Sequence, residues 1–94
     1  MSEPLSQDRI ERALQELPSW SLHDGKLRRE LRFDGFPAAL SFLVRVGLLA
    51  ESRGHHPEIY NAYAKVTLEL VTHDAGGITE KDLSFAREVE AFTP

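Results

Sequence analysis

The chain contains no cysteine, which excludes disulfides, thiolate catalysis, cysteine-ligated zinc and iron–sulfur clusters. Basic residues are in deficit: 11 Lys and Arg stand against 15 Asp and Glu, a formal net charge of −4. Nonspecific nucleic-acid binding needs a basic surface that releases counterions. Local basic patches aside, that support is missing here, and no direct nucleic-acid partner is expected. Long apolar runs are absent too. The most apolar stretch, Leu40 to Ala50, contains Arg45 and is far too short to cross a bilayer. Met1-Ser2-Glu3-Pro4 has neither the basic nor the apolar region of a signal peptide. The sequence also lacks a phosphate-binding glycine pattern, an HExxH or HxxxH pair, a nucleophile elbow around Ser52 or Ser84, and any internal repeat. These absences predict a soluble, cytoplasmic protein without membrane contact.

What is present suits one small domain over residues 1–94. The chain is 41% hydrophobic and 28% charged, and its length falls inside the range of a single core. A chain this short buries a modest share of its surface, so self-association is a natural way to bury more.

Periodicity divides the chain into seven elements. Ser6 caps a first helix with Leu5 and Ile10 as its hydrophobic staple and Asp8 in its first turn. Ile10, Ala13, Leu14 and Leu17 form its apolar face, and Pro18 stops it. From Trp20 to Phe33 the period becomes two, broken at Asp24-Gly25, a strong signal for a two-residue hairpin turn. Leu27, Leu31 and Phe33 share one face and Lys26, Arg28, Glu30 and Arg32 the other, with Arg29 out of pattern and expected near an edge. Phe36 to Arg53 is the longest helix. Its core stripe is read as Phe36, Ala39, Leu40, Leu43, Val46, Gly47 and Ala50, with Phe42, Val44, Leu48 and Leu49 leaving much of a second face apolar. A second copy of the chain is the expected cover for that face. An extended stretch from His55 to Tyr60, a turn near Asn61-Ala62 and a strand from Ala64 to His73 follow. Thr79-Glu80-Lys81-Asp82 then opens a last helix as a capping box, with Phe85, Ala86, Val89 and Phe92 buried. The order α-β-β-α-β-β-α predicts an α+β fold: three helices on one face of a four-stranded antiparallel sheet.

Three of the four histidines, His55, His56 and His73, fall at ends of elements, where sites collect on a rigid scaffold. Imidazole, with an unperturbed pKa of about 6.5, is the side chain for proton transfer near neutral pH. Glu51 precedes His55 by four residues. If the helix persists through Gly54, the two share a face and the carboxylate orients or charges the ring. A lone histidine at a strand end is ordinarily a polar boundary residue, and three in one segment shift the balance toward a site. His23 flanks a turn without a partner and is set aside. Glu51 alone reads as a solvated charge, Asp82 as a cap, and Tyr60 and Tyr63 as sheet packing. Metal is the competing reading, since imidazole and carboxylate suit zinc or iron. Neighbouring His55 and His56 point apart in an extended chain, so no metal is expected.

Read together, Glu51-x3-His55-His56-Pro57-x5-Tyr63-x9-His73-x8-Asp82 resembles the pterin-4a-carbinolamine dehydratase family. So do the run from His73 to Asp82, Leu17-Pro18-x-Trp20 and the Phe36 to Arg53 helix, so the similarity spans nearly the whole chain. The resemblance implies a four-stranded α+β fold, dehydration of 4a-hydroxytetrahydropterin to quinonoid dihydropterin in pterin recycling, and no cofactor, metal or organic. It implies His55 and His73 as acid and base in unassigned order, with His56 binding the pterin and its hydroxyl. Glu51 is expected to support His55, and Pro57, Tyr63 and Asp82 to shape the substrate site. Ile59 stands where family members often carry an aromatic, which removes a stacking surface. The family also includes a dimerisation cofactor of a transcription factor. A noncatalytic interaction module is therefore the alternative to a dehydratase, and a homodimer or homotetramer is expected.

Overall fold

The computed structural model of the chain describes residues 3–94. Met1 and Ser2, where the reading of the N-terminus begins, lie outside the described residues. The elements are α1 (Gln7–Gln15), β1 (Trp20–His23), β2 (Lys26–Arg32), α2 (Phe36–Arg53), β3 (Glu58–Ala62), β4 (Lys65–Leu70), a 3₁₀ turn (His73–Ala75) and α3 (Glu80–Phe92). The four strands form one antiparallel sheet in the order β1-β2-β4-β3. The expected α-β-β-α-β-β-α order and sheet are what the chain adopts.

Local chemistry sets these boundaries. Ser6 accepts from the Arg9 amide at the start of α1. Asp24 and Gly25 both have positive φ, 51° and 78°, as a tight hairpin turn between right-twisted strands requires. Leu27, Leu31, Val66, Leu68 and Leu70 face the helices and are buried, while Arg28, Glu30, Arg32, Lys65 and Glu69 occupy the open face. A fully buried leucine contributes about 2 kcal/mol through removal of its surface from water. Leu27, Leu68 and Leu70 are therefore among the strongest attachments between sheet and helices. α2 carries the chain from β2 to the far side of the sheet, and the β3–β4 hairpin returns it to the centre, leaving β3 as an edge. No helix among the described residues is long and apolar enough to cross a membrane.

Five local expectations are corrected. The buried side of α2 is Ala39, Phe42, Val46 and Ala50; Phe36, Leu40 and Gly47 lie outward. Phe42 takes the inner position because its ring meets Phe33 and Phe92, with centroids 5.0 and 5.7 Å away. Arg29 is not near an edge. It sits on the helix-facing side of an inner strand, where its Nε donates to Glu90 at 2.9 Å and Trp20 Nε1 donates to the same oxygen. The β3–β4 turn falls at Tyr63-Ala64 rather than Asn61-Ala62, with Tyr63 at φ 53°. Asn61 Nδ2 donates to the Tyr63 and Lys65 carbonyls, which holds Asn61 in the strand. β4 ends at Leu70, before His73, because Thr72 bridges to Gly77 and closes the following loop on itself. Tyr60 and Tyr63 are exposed and do not pack on the sheet.

Candidate active site

α2 stops at Gly54, whose φ of 61° is the left-handed conformation that favours glycine; its amide donates back to Ala50 and Glu51. That reversal separates the two adjacent histidines. His55, its own amide bonded to the Ala50 carbonyl, turns inward toward the start of α3. His56 stays outside, 3.1 Å from Glu51. Glu51 is therefore the partner of His56 and not, as expected, of His55, because the helix does not persist through Gly54.

The partner of His55 is Asp82. His55 Nε2 lies 2.6 Å from Asp82 Oδ1, with the imidazole side chain 13% exposed and the carboxylate fully buried. Facing a carboxylate, Nε2 is the donor, which leaves Nδ1 for an incoming group. The other carboxylate oxygen accepts from Thr72 Oγ1 at 2.8 Å and from the Thr79 amide at 2.9 Å. The Thr72 and Thr79 hydroxyls are 2.7 Å apart, so the site carboxylate is anchored from both sides. Asp82 thus both caps α3 and orients His55. Fully buried, the carboxylate bears on this end of the molecule through His55. The Phe85 ring meets the His55 ring edge-on at 6.2 Å.

His73 begins the 3₁₀ turn after β4, next to Thr72 and hence one residue from the Asp82 network. Its Nε2 is 3.8 Å from Glu58 Oε2, and the ring is 77% exposed. Glu58 follows His56 by two residues, with Pro57 between them passing the chain into β3. The three histidines thus converge on one end of the molecule through two short bridges, His55–Asp82–Thr72 and Glu58–His73. The N-terminal segment closes over the loop behind them. Leu5 donates to the Ile78 carbonyl at 2.8 Å, and a Cβ on Gly77 would lie 3.2 Å from Pro4. Sequence reasoning missed this clasp, which has no local signal.

Tyr63 is not brought to this end. Pro57 and the five residues of β3 lie between it and His56, and it stands in the turn at the far end of that strand. Beside His55 lies a cleft of about 320 Å³ lined by Arg53, Lys81, Ser84, Phe85 and Glu88 among others. Arg53 and Glu88 are joined there by a two-pronged ion pair, one arm 2.8 Å long. Among the described residues, no three His, Asp or Glu side chains converge as metal ligands would.

Comparison with known proteins settles the family. The family model for pterin 4 alpha carbinolamine dehydratase matches residues 3–92. The chain belongs to that family. A protein of Prochlorococcus marinus (strain MIT 9303) named "Putative pterin-4-alpha-carbinolamine dehydratase" is 43% identical over 90 residues, 96% of this chain and 94% of that one. One of the same name from Solibacter usitatus (strain Ellin6076) is 44% identical over 91 residues, covering 97% and 96%. Among solved structures, a Brucella melitensis protein titled transcriptional coactivator/pterin dehydratase superposes with a TM-score of 0.90 at 36% identity, covering 95% of this chain and 97% of that one. The pterin carbinolamine dehydratase fold thus extends across the elements that carry the histidines.

Proposed function

We propose that the chain, a single cytoplasmic domain over residues 1–94, dehydrates 4a-hydroxytetrahydropterin to quinonoid dihydropterin and water. The observation that carries this reading is the buried His55–Asp82 pair at the end of the fold where His56 and His73 also stand. In the reaction one imidazolium delivers a proton to the C4a hydroxyl, and the C–O bond breaks to release water. A neutral imidazole takes the proton from the adjacent ring nitrogen, and its electron pair becomes the new C=N bond. His55 and His73 divide these two roles. His56, tethered to Glu51, holds the pterin and its hydroxyl, and Pro57 shapes the approach. No cofactor or metal takes part.

Turnover of freshly generated 4a-hydroxytetrahydropterin tests this. His55→Ala and His73→Ala are each expected to lower the rate about 100-fold or more, the usual worth of an acid or base, while retaining the fold by circular dichroism. Unchanged turnover in both variants removes the acid/base assignment.

A second reading rests on α2. Phe36, Leu40, Val44 and Leu48 recur every fourth residue on its outer side and are 47%, 41%, 62% and 68% exposed. An apolar stripe of this kind marks an association surface. We assign it to a second copy of the chain, as a homodimer or homotetramer; a different protein on the same stripe would make the chain an interaction module. Sedimentation at micromolar concentration is expected to give at least a dimer that Leu48→Glu dissociates. A parent protein that sediments as a monomer and accelerates no dehydration moves the interaction-module reading to the front.

A further inference from the structure

Lys26 opens β2 at the foot of the Asp24-Gly25 turn, Glu58 opens β3, and His73 starts the turn after β4. With β4 lying between β2 and β3, the Lys26 side chain crosses the open face of the sheet to reach Glu58. Its ammonium donates to both carboxylate oxygens, at 3.0 and 2.8 Å. The same Oε2 faces His73 Nε2 at 3.8 Å. All three groups lie outside the core, with side chains 29%, 47% and 77% exposed. Exposed ion pairs add little to stability, so holding the fold together is a weak reason for this convergence.

We propose that Glu58, braced by Lys26, is the positioning residue for His73: the pair presents a carboxylate to Nε2 and sets how readily that imidazole holds its proton. This rests on the reading of His73 as an acid/base group. A carboxylate within a few ångströms favours imidazolium, and a cation bound to that carboxylate partly cancels the effect. Lys26 remains charged throughout the range in which a histidine titrates. Its pKa is raised above the ordinary 10.5 by the hydrogen bond to Glu58 first, against the cost of burial, with further help from the charges of Glu58, Glu69 and Asp24. The remaining charges nearby are Arg28, 3.8 Å from Glu69, and Asp74, next to His73 in the chain. The ammonium and the carboxylate are therefore opposed influences on one ring, and the balance between them is the device.

The two partners must act in opposite directions if this is so. Glu58→Gln removes the anion and leaves the ammonium, so His73 gives up its proton at lower pH. Lys26→Met leaves the carboxylate uncancelled, so His73 keeps its proton to higher pH. Glu58→Gln should give the larger displacement, since the carboxylate itself faces the ring at 3.8 Å, whereas the ammonium reaches the ring through that carboxylate. Lys26→Arg should restore the parent midpoint. The ring resonances of His73, assigned with His73→Gln, report the midpoints without any turnover, and the pH profile of dehydration is measured beside them. Opposite displacements reversed by Lys26→Arg uphold the proposal. Midpoints that stay put, or move the same way in both variants as loss of a mere strut would have it, overturn it. Opposite ring displacements with an unmoved rate profile uphold the pair and remove His73 from the acid/base roles.

Discussion

His55 and Asp82 are 27 positions apart in the sequence, and their side chains are 2.6 Å apart across the site. The contact joins the C-terminus of one helix to the first turn of another, and it uses a carboxylate that α3 already needs as the reciprocal half of its capping box. One residue therefore serves helix stability and the orientation of a histidine, and the two services are separable.

Thr79→Ala and Asp82→Asn separate them. Thr79→Ala removes the hydroxyl that accepts from the Lys81 amide and should lower stability by about 1 kcal/mol, the usual cost of a lost cap, while leaving the carboxylate on His55. Asp82→Asn keeps the shape but removes the charge, and turnover should fall at least tenfold. Denaturant unfolding and dehydration rates on both variants check this. Loss of rate in proportion to loss of stability in both would reduce Asp82 to a cap.

Gly54→Ala should act on both histidines without touching either. Nothing lies within 4 Å of a Cβ placed there, so the penalty is backbone strain at φ 61° rather than a clash, about 1 kcal/mol. Relief of that strain would extend α2 and pull His55 from Asp82 and His56 from Glu51. Turnover should therefore drop by more than the stability loss implies, and Gly54→Asn, which tolerates the left-handed conformation better, should recover part of both. Equal activity in all three proteins would show that the reversal does not govern the site.

The same glycine marks where the sequence was legible and where it was misread. Patterns confined to one element came through: Asp24-Gly25, the alternation of Val66, Leu68 and Leu70, and the Thr79 capping box. A glycine after the last periodic residue is a stop signal, so the departure of His55 from Glu51 was readable in Gly54. Arg29 was not readable, because its partner Glu90 lies 61 positions away. The inner face of α2 was equally hidden. A helix apolar on nearly every side has no single stripe, and only the Phe33 and Phe92 rings select Phe42. For the site, residue identities were legible and pairings were not, since each pairing crosses between elements.

The cleft beside His55 carries an acid-sensitive brace. Arg53 at the end of α2 forks onto Glu88 of α3, and the hydrogen bond from Arg53 first, with its charge, holds the Glu88 carboxyl below its ordinary 4.5 against the opposing effect of burial. A carboxyl whose pKa is depressed by folding contributes stability above its unfolded value, and that contribution is lost as pH falls through the folded one. Glu88→Gln should therefore melt below the parent at neutral pH, and the gap should close as the pH drops below 4.5. The pair is exposed to solvent, so the gap should also narrow with added salt. Thermal melts of both proteins from neutral to acid pH check the sign. A gap that is constant across that range would mean that Glu88 acts through packing on Arg53 rather than through charge.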